Sequence, residues 1–237
     1  MKIIAHRCGP TVYPEQTMTS ARFALYCGAD MVEVDVRYTS DKHIACSHDG
    51  NAKRVFGVDK LVKDMTGEEF LSLRQVKDKG FGSHLFEHYL QCGVKPLLIH
   101  VKEEEVLPDL LDMLARYDYL DDVVLGLMKT DAVRLVKEYD KNIKVLAFMP
   151  KVEDIPAYAE AGVDYIRLWE DWMSDDTVSA VRKYPVGLWI MIGKNALDSD
   201  VGVTTPDGLQ KVLDYGVDGI LINDIGLLQE ALEKREL

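Results

Sequence analysis

Two carboxylates one residue apart, Glu33 and Asp35, lie in Met31-Val32-Glu33-Val34-Asp35-Val36-Arg37, where apolar and charged residues alternate with period two. On a β-strand that period puts Glu33, Asp35 and Arg37 on one face and the valines on the other. If the charged face points to the axis of a barrel, the carboxylates are about 7 Å apart along the strand and need a cation to offset their burial. A hard divalent metal is the economical one. A strand at the protein edge, with its charged face in water, accounts for the same pattern. Two histidines stand at the ends of extended runs: His6-Arg7 after Ile3-Ile4-Ala5, and His48-Asp49 after Ile44-Ala45-Cys46-Ser47. An imidazole titrating near neutrality can give or take a proton there, or simply serve the structure through a hydrogen bond.

Positioning such groups requires a scaffold, and the chain has the rhythm of one. Short apolar runs alternate with longer amphipathic stretches, the signature of parallel strands joined by helices. The strands are expected at Ile3-Ala5, Met31-Arg37, Leu97-Val101, Val123-Gly126, Val145-Met149, Tyr165-Leu168, Gly187-Ile192 and Gly219-Asn223. Eight units in 237 residues give roughly 30 residues each, which suits an α/β TIM (β/α)₈ barrel formed as one domain over residues 1–237. A local theme recurs at Gly28-Ala29-Asp30, Gly162-Val163-Asp164 and Gly216-Val217-Asp218, each with Gly closing a helix and Asp entering a strand. Residues 49–93 break the rhythm and read as an insertion or long loop overhanging the end of the barrel where substrates bind.

Composition narrows the function. Lys and Arg number 28 against 40 Asp and Glu, a net charge of −12 that disfavours nucleic-acid or anionic-membrane partners. Apolar residues make up 47%, yet no run is long enough for a membrane span and the first residues do not form a signal peptide. Cys8, Cys27, Cys46 and Cys92 show no paired spacing, which suits a reducing cytoplasm. His43, His84 and His88 are expected at the surface, and Trp169 and Trp172 in packing near the barrel mouth.

In order, Ala5-His6-Arg7, Tyr13-Pro14-Glu15-Gln16-Thr17, Glu33-Val34-Asp35-Val36 and Ser47-His48-Asp49 resemble the signature of the glycerophosphodiester phosphodiesterases, where HRG, PENT, E-(L/V)-D-V and HD follow at similar spacings. The likeness is dense over residues 3–57 and looser to the end. Four motifs in register are far more specific than one. The resemblance implies a TIM barrel with a small insertion after the second strand. It also implies hydrolysis of glycerophosphodiesters, small-molecule substrates, to sn-glycerol 3-phosphate and an alcohol, with a divalent metal, Mg²⁺ or Ca²⁺. On the matching positions it makes His6 and His48 the acid/base pair, Arg7 and Lys102 substrate-binding residues, Glu33 and Asp35 metal ligands, and Glu15 a residue close to the metal. Two variants of the reading remain. One is a lysophospholipase D or sphingomyelinase D-like activity, with an apolar groove from Phe81, Leu85 and Phe86. The other is a catalytically weakened relative that binds phosphoesters.

The departures carry expectations of their own. The third-strand E-x-K of the family is His100-Val101-Lys102 here. His100 is expected as a third ligand that moves metal preference toward Mn²⁺, Co²⁺ or Zn²⁺; the alternatives are a histidine that only hydrogen-bonds a neighbour, or a carboxylate supplied by Glu103 or Glu104. Cys8 stands where the family has glycine and is either an activated thiol or a small side chain filling a tight loop. Gln16 replaces the Asn of PENT, and Asn223 stands where aspartate is usual. Trp189 is expected to line the glycerol end of the pocket, or else to pack in the core.

Overall fold

The computed structural model describes residues 1–194 and 201–236. Its strands are β1 (Lys2–Ala5), β2 (Met31–Tyr38), β3 (Ile44–Cys46), β4 (Leu97–Val101), β5 (Val123–Leu127), β6 (Lys144–Ala147), β7 (Tyr165–Trp169), β8 (Gly187–Met191) and β9 (Gly219–Ile222). Eight pair in parallel in the order β1-β9-β8-β7-β6-β5-β4-β2, and β2 pairs back onto β1, which closes a barrel. This is the expected TIM barrel. The ninth strand, β3, is antiparallel to the end of β2, so the chain folds back at the barrel rim and delivers the His48 turn beside it. Expected strand ends at Met149, Ile192 and Asn223 fall one or two residues beyond the observed ones, because those residues lie past the barrel ladders at the rim.

The helices follow from simple periodicity. In the helix Leu107–Arg116, Leu107, Leu110, Leu111 and Leu114 fall on one stripe and all are buried against the strands. The recurring Gly-x-Asp motif also has a structural cause. Gly28, Gly162 and Gly216 take left-handed φ values of 96°, 98° and 62° that terminate helices. The following Asp30, Asp164 and Asp218 then accept the N–H of the second residue of the neighbouring strand, from Ile3, Val145 and Leu188, at 2.8, 2.9 and 2.8 Å. Each carboxylate satisfies a donor that the closed ladder leaves over at the bottom of the barrel.

Residues 49–93 contain three short α-helices, Lys53–Phe56, Gly67–Leu71 and Phe86–Gln91, and one 3-10 turn, Val62–Asp64. Ala52, Phe56, Val62, Met65 and Phe70 form a small core of their own with Ala45 of β3 and Leu85. By contrast Phe86, Tyr89 and Leu90 of the third helix join the main core. Inside the barrel a separate apolar layer, Ile4, Leu98, Val124, Leu146, Trp189 and Leu221, plugs the lower half. Among the described residues no helix is long and apolar enough to cross a membrane.

Candidate active site

Strand alternation turns Met31, Glu33 and Asp35 of β2 to the axis while Val32, Val34 and Val36 face the helices. Glu33 is 1% and Asp35 0% exposed. Two contacts fix them. The Arg7 backbone N–H donates to Glu33 Oε2 at 2.6 Å, and the Gln16 amide donates from Nε2 to Asp35 Oδ2 at 2.6 Å. Both donors sit on left-handed backbone, Arg7 at φ 47° and Gln16 at φ 57°, the sort of tight conformation that binding loops retain for function. Across the barrel ladder, β4 sets His100 opposite Asp35. Its Nδ1 lies 3.0 Å from Asp35 Oδ1 and 3.8 Å from Glu33 Oε1.

These three side chains each offer one ligand atom, all within 4.8 Å of one another. The donor set fits a divalent metal: Asp35 Oδ1 is buried without an aligned hydrogen bond, and two carboxylates with an imidazole form a mixed oxygen and nitrogen set. Electrostatics agrees. Burial, and then the charge of Asp35, raise the Glu33 pKa above the usual carboxylate range. Asp35 is held below that range: burial would raise it, but Lys102, with Nζ 3.0 Å from Oδ1, and then His100 outweigh that. Burial, assisted by Lys102, lowers His100 to about 3, so its lone pair is free at neutral pH.

The two expected proton carriers face the same cavity, roughly 300 Å³ in volume. His6 Nδ1 is 2.7 Å from Asn223 Oδ1, while Asn223 Nδ2 donates to the Val201 carbonyl at 3.0 Å. That second bond fixes the amide, so His6 carries its proton on Nδ1 and leaves Nε2 as an acceptor. Burial, and then Arg7, lower its pKa to about 3. His48 Nδ1 is 2.8 Å from Asp49 Oδ1, a carboxylate partner where His6 has an amide. Arg37 braces the His48 turn, donating to its carbonyl from Nε at 3.2 Å and Nη2 at 2.9 Å and to Glu103 Oε1 from Nη1 at 3.0 Å. Arg7, Lys102, Met128, Phe148, Met149, Pro150, Arg167, Trp169, Met191 and Val201 also line the cavity. A larger cavity of about 970 Å³, bounded by Glu170, Met173, Thr204, Lys211 and Tyr215, includes none of these groups.

A model of the Glycerophosphoryl diester phosphodiesterase family matches residues 6–199, most of the chain. The chain belongs to this family. A glycerophosphodiester phosphodiesterase of Bacillus altitudinis is 39% identical over 102 residues, 43% of this chain and 39% of that protein. One from Caldanaerobacter subterraneus is 26% identical over 156 residues, 60% of this chain and 64% of that protein. The matched stretches thus span less than two thirds of either relative. In fold the chain resembles an Oleispira antarctica phosphodiesterase solved with the product sn-glycerol-3-phosphate, with a TM-score of 0.84 at 16% identity, covering 98% of this chain and 97% of that one.

Of the residues that the glycerophosphoryl diester phosphodiesterase motifs single out, His6, Arg7, Glu33, His48, His100 and Lys102 all line one cavity, and Asp35 lies in contact behind it. Glu15 is outside the Glu33, Asp35 and His100 group; Arg54 clasps its carboxylate at 2.7 and 2.8 Å, and Arg7 Nη1 is 3.8 Å away. Trp189 does not line the cavity. It is buried in the lower layer, stacked on Tyr165 at 4.5 Å, one inward position below Met191, which does. Glu103 is bound to Arg37 and Glu104 to Lys129 at 2.9 Å, so neither joins the ligand group. The groove expected from Phe81, Leu85 and Phe86 is not built: Phe86 and Leu85 are buried in two different cores and Phe81 packs on Tyr13. Cys8 is the small filler. Its φ of 69° explains glycine in the motif, and burial pushes its thiol pKa up, away from the reactive thiolate. Asn223, Arg54 and Arg167 were not expected as site residues, although Asn223 stood out as a departure from the family's aspartate; Arg167 leaves a signal in the alternation Tyr165-Ile166-Arg167-Leu168-Trp169, which puts a cation on an inward face, and Arg54 leaves none.

Proposed function

We propose that the protein hydrolyses glycerophosphodiesters to sn-glycerol 3-phosphate and an alcohol, using a divalent metal held by Glu33, Asp35 and His100. The observation that carries this reading is the ligand-competent trio facing the same cavity as two histidines, each oriented through Nδ1. A divalent cation, when bound, supplies Lewis acidity toward the phosphoryl group. Arg7 and Lys102 add positive charge for the diester's anionic oxygens. His6, neutral with Nε2 as an acceptor, takes the proton from the attacking oxygen, either of water or of the neighbouring glycerol hydroxyl; in the second case the alcohol leaves a cyclic phosphate, whose P–O bond water then opens to give sn-glycerol 3-phosphate. His48, oriented through Nδ1 by Asp49, gives a proton to the departing alkoxide. Gln16 and the Arg7 backbone hold the carboxylates, and Asn223 holds His6. Because His100 brings nitrogen in place of a third carboxylate, Mn²⁺, Co²⁺ or Zn²⁺ supports turnover better than Ca²⁺ or Mg²⁺.

The test incubates the protein with sn-glycero-3-phosphocholine and each of these metals in turn and measures the products. Release of sn-glycerol 3-phosphate and choline is expected. Release of glycerol and phosphocholine would place the cut on the other ester bond and refute the reading. Metal titration of His100→Ala checks the third ligand: affinity and preference that do not change would remove it.

A further inference from the structure

Among the described residues, Arg167 is the cavity cation that this chemistry leaves without a task. It enters from β7, on the far side of the barrel from β2, is 4% exposed, and faces the same cavity as His6 and Lys102. Lys102 has Asp35 at 3.0 Å, and Arg7 has Glu15 at 3.8 Å. Arg167 makes no ion pair with any described residue, and its buried Nε and Nη1 have no hydrogen-bond partner. What holds it is aromatic: Cζ lies 4.9 Å from the Phe148 ring centroid and 4.4 Å from that of Trp169. Ring faces stabilise a guanidinium but leave its in-plane N–H donors unused.

Phe148 links this arginine to the metal side. Its ring stacks on His100 at 3.9 Å, in space left by Gly126, where a Cβ would meet the Phe148 ring at 2.5 Å. Imidazole and guanidinium therefore both contact one phenyl ring, and a small ligand at the ligand trio can reach across it. A buried guanidinium without a counter-charge among the described residues disfavours the fold, and an apolar side chain would fill the same space without that cost. The position makes physical sense when the counter-charge arrives with the ligand.

A phosphodiester brings one negative charge, which Arg7, Lys102 and the cation site receive. Its glycerol half brings none. We infer that Arg167 binds an anionic group, a carboxylate or a phosphate, carried by the alcohol half of the substrate, so that the enzyme prefers glycerophosphodiesters of acidic alcohols. The inference rests on the diesterase reading and adds a substrate class to it. A guanidinium meets either oxyanion with paired N–H donors, an arrangement that an ammonium does not reproduce.

Three esters that differ only at the end of the alcohol test this: sn-glycero-3-phosphoglycerol, its phosphoglycerate analogue, and its analogue with a terminal phosphate. In the wild type, kcat/KM for an acidic ester should exceed that for the neutral ester by about tenfold or more. Arg167→Met should bring the ratio close to one, and Arg167→Lys should keep part of it. Which acidic ester leads distinguishes carboxylate from phosphate. A wild-type ratio near one, a ratio unaltered in Arg167→Met, or a loss shared equally by all three esters overturns the inference while leaving the diesterase reading intact. If no ester turns over, that reading fails, and calorimetric binding of the three esters decides the inference alone. Tighter binding of an acidic ester that Arg167→Met abolishes upholds it; equal binding of all three sinks it.

Discussion

The lower and upper halves of the barrel interior are built by the same eight strands, two residues apart. Ile4, Met31, Leu98, Val124, Leu146, Tyr165, Trp189 and Leu221 occupy the lower positions. Two residues further along the same strands stand His6, Glu33, His100, Gly126, Phe148, Arg167, Met191 and Asn223. One inward step thus separates a plug of apolar side chains from a set of proton carriers, ligand donors and a cation. The lower half has nearly every apolar side chain buried and satisfied. The upper half keeps buried polar atoms of Arg7, Asp35, His100 and Arg167 without hydrogen-bond partners, and among the described residues the other such atom is Glu104 Oε1, on the turn after β4. Unmet polar groups concentrated at one end of the barrel interior mark where the molecule expects a ligand.

The comparison breaks most readily at its upper half. His6→Ala and His48→Ala should each lower kcat by about 10²–10⁴, the usual range for a lost acid or base, with little change in unfolding free energy. Steady-state kinetics beside chemical denaturation checks both parts. The reverse pattern is expected one step down: Leu98→Ala, wholly buried in the plug, should cost about 2–5 kcal/mol of stability and leave kcat within a few fold of wild type. If Leu98→Ala cripples turnover in a protein that remains folded, the two layers are not separable as described.

A smaller effect sharpens the boundary. Asn223→Leu removes the hydrogen bond that sets the His6 tautomer, and kcat should fall about tenfold, with KM nearly unchanged. The smallest effect is a proton. With Glu33 raised above its ordinary value near 4.5, the metal-free folded chain binds more protons than the unfolded one over the pH range above that value. The contribution of Glu33 to metal-free stability therefore falls as pH rises from about 4.5. A bound cation displaces that proton, so Mn²⁺ affinity should climb with pH by up to about tenfold per unit while Glu33 titrates. Calorimetry in buffers of different ionisation enthalpy counts the proton released.

Much of this was legible from residue order. Period-two alternation announced the inward carboxylates of β2, and the eight apolar runs announced the strands. Alternation gives the face of a strand but not its depth, and depth misplaced Trp189: both Trp189 and Met191 point inward, and only strand register decides that the second reaches the cavity. Contacts between distant segments were equally hidden. Asn223 lies 217 residues from His6, and Arg54 is 39 residues from Glu15, so no local pattern joins them. Gln16 was visible as a departure, but its double contact, amide to Asp35 Oδ2 and carbonyl to the Asp35 N–H, depends on a left-handed backbone that a side-chain list does not reveal.

The central claim is that Glu33, Asp35 and His100 together hold one catalytic divalent cation. Chelator-treated protein, titrated with Mn²⁺ while sn-glycerol 3-phosphate release is recorded, tests it most directly. The account predicts no turnover after chelation, recovery that saturates at one ion per chain, and loss of that binding isotherm in Asp35→Asn. Full turnover in chelated protein, or an isotherm that Asp35→Asn leaves in place, would contradict it.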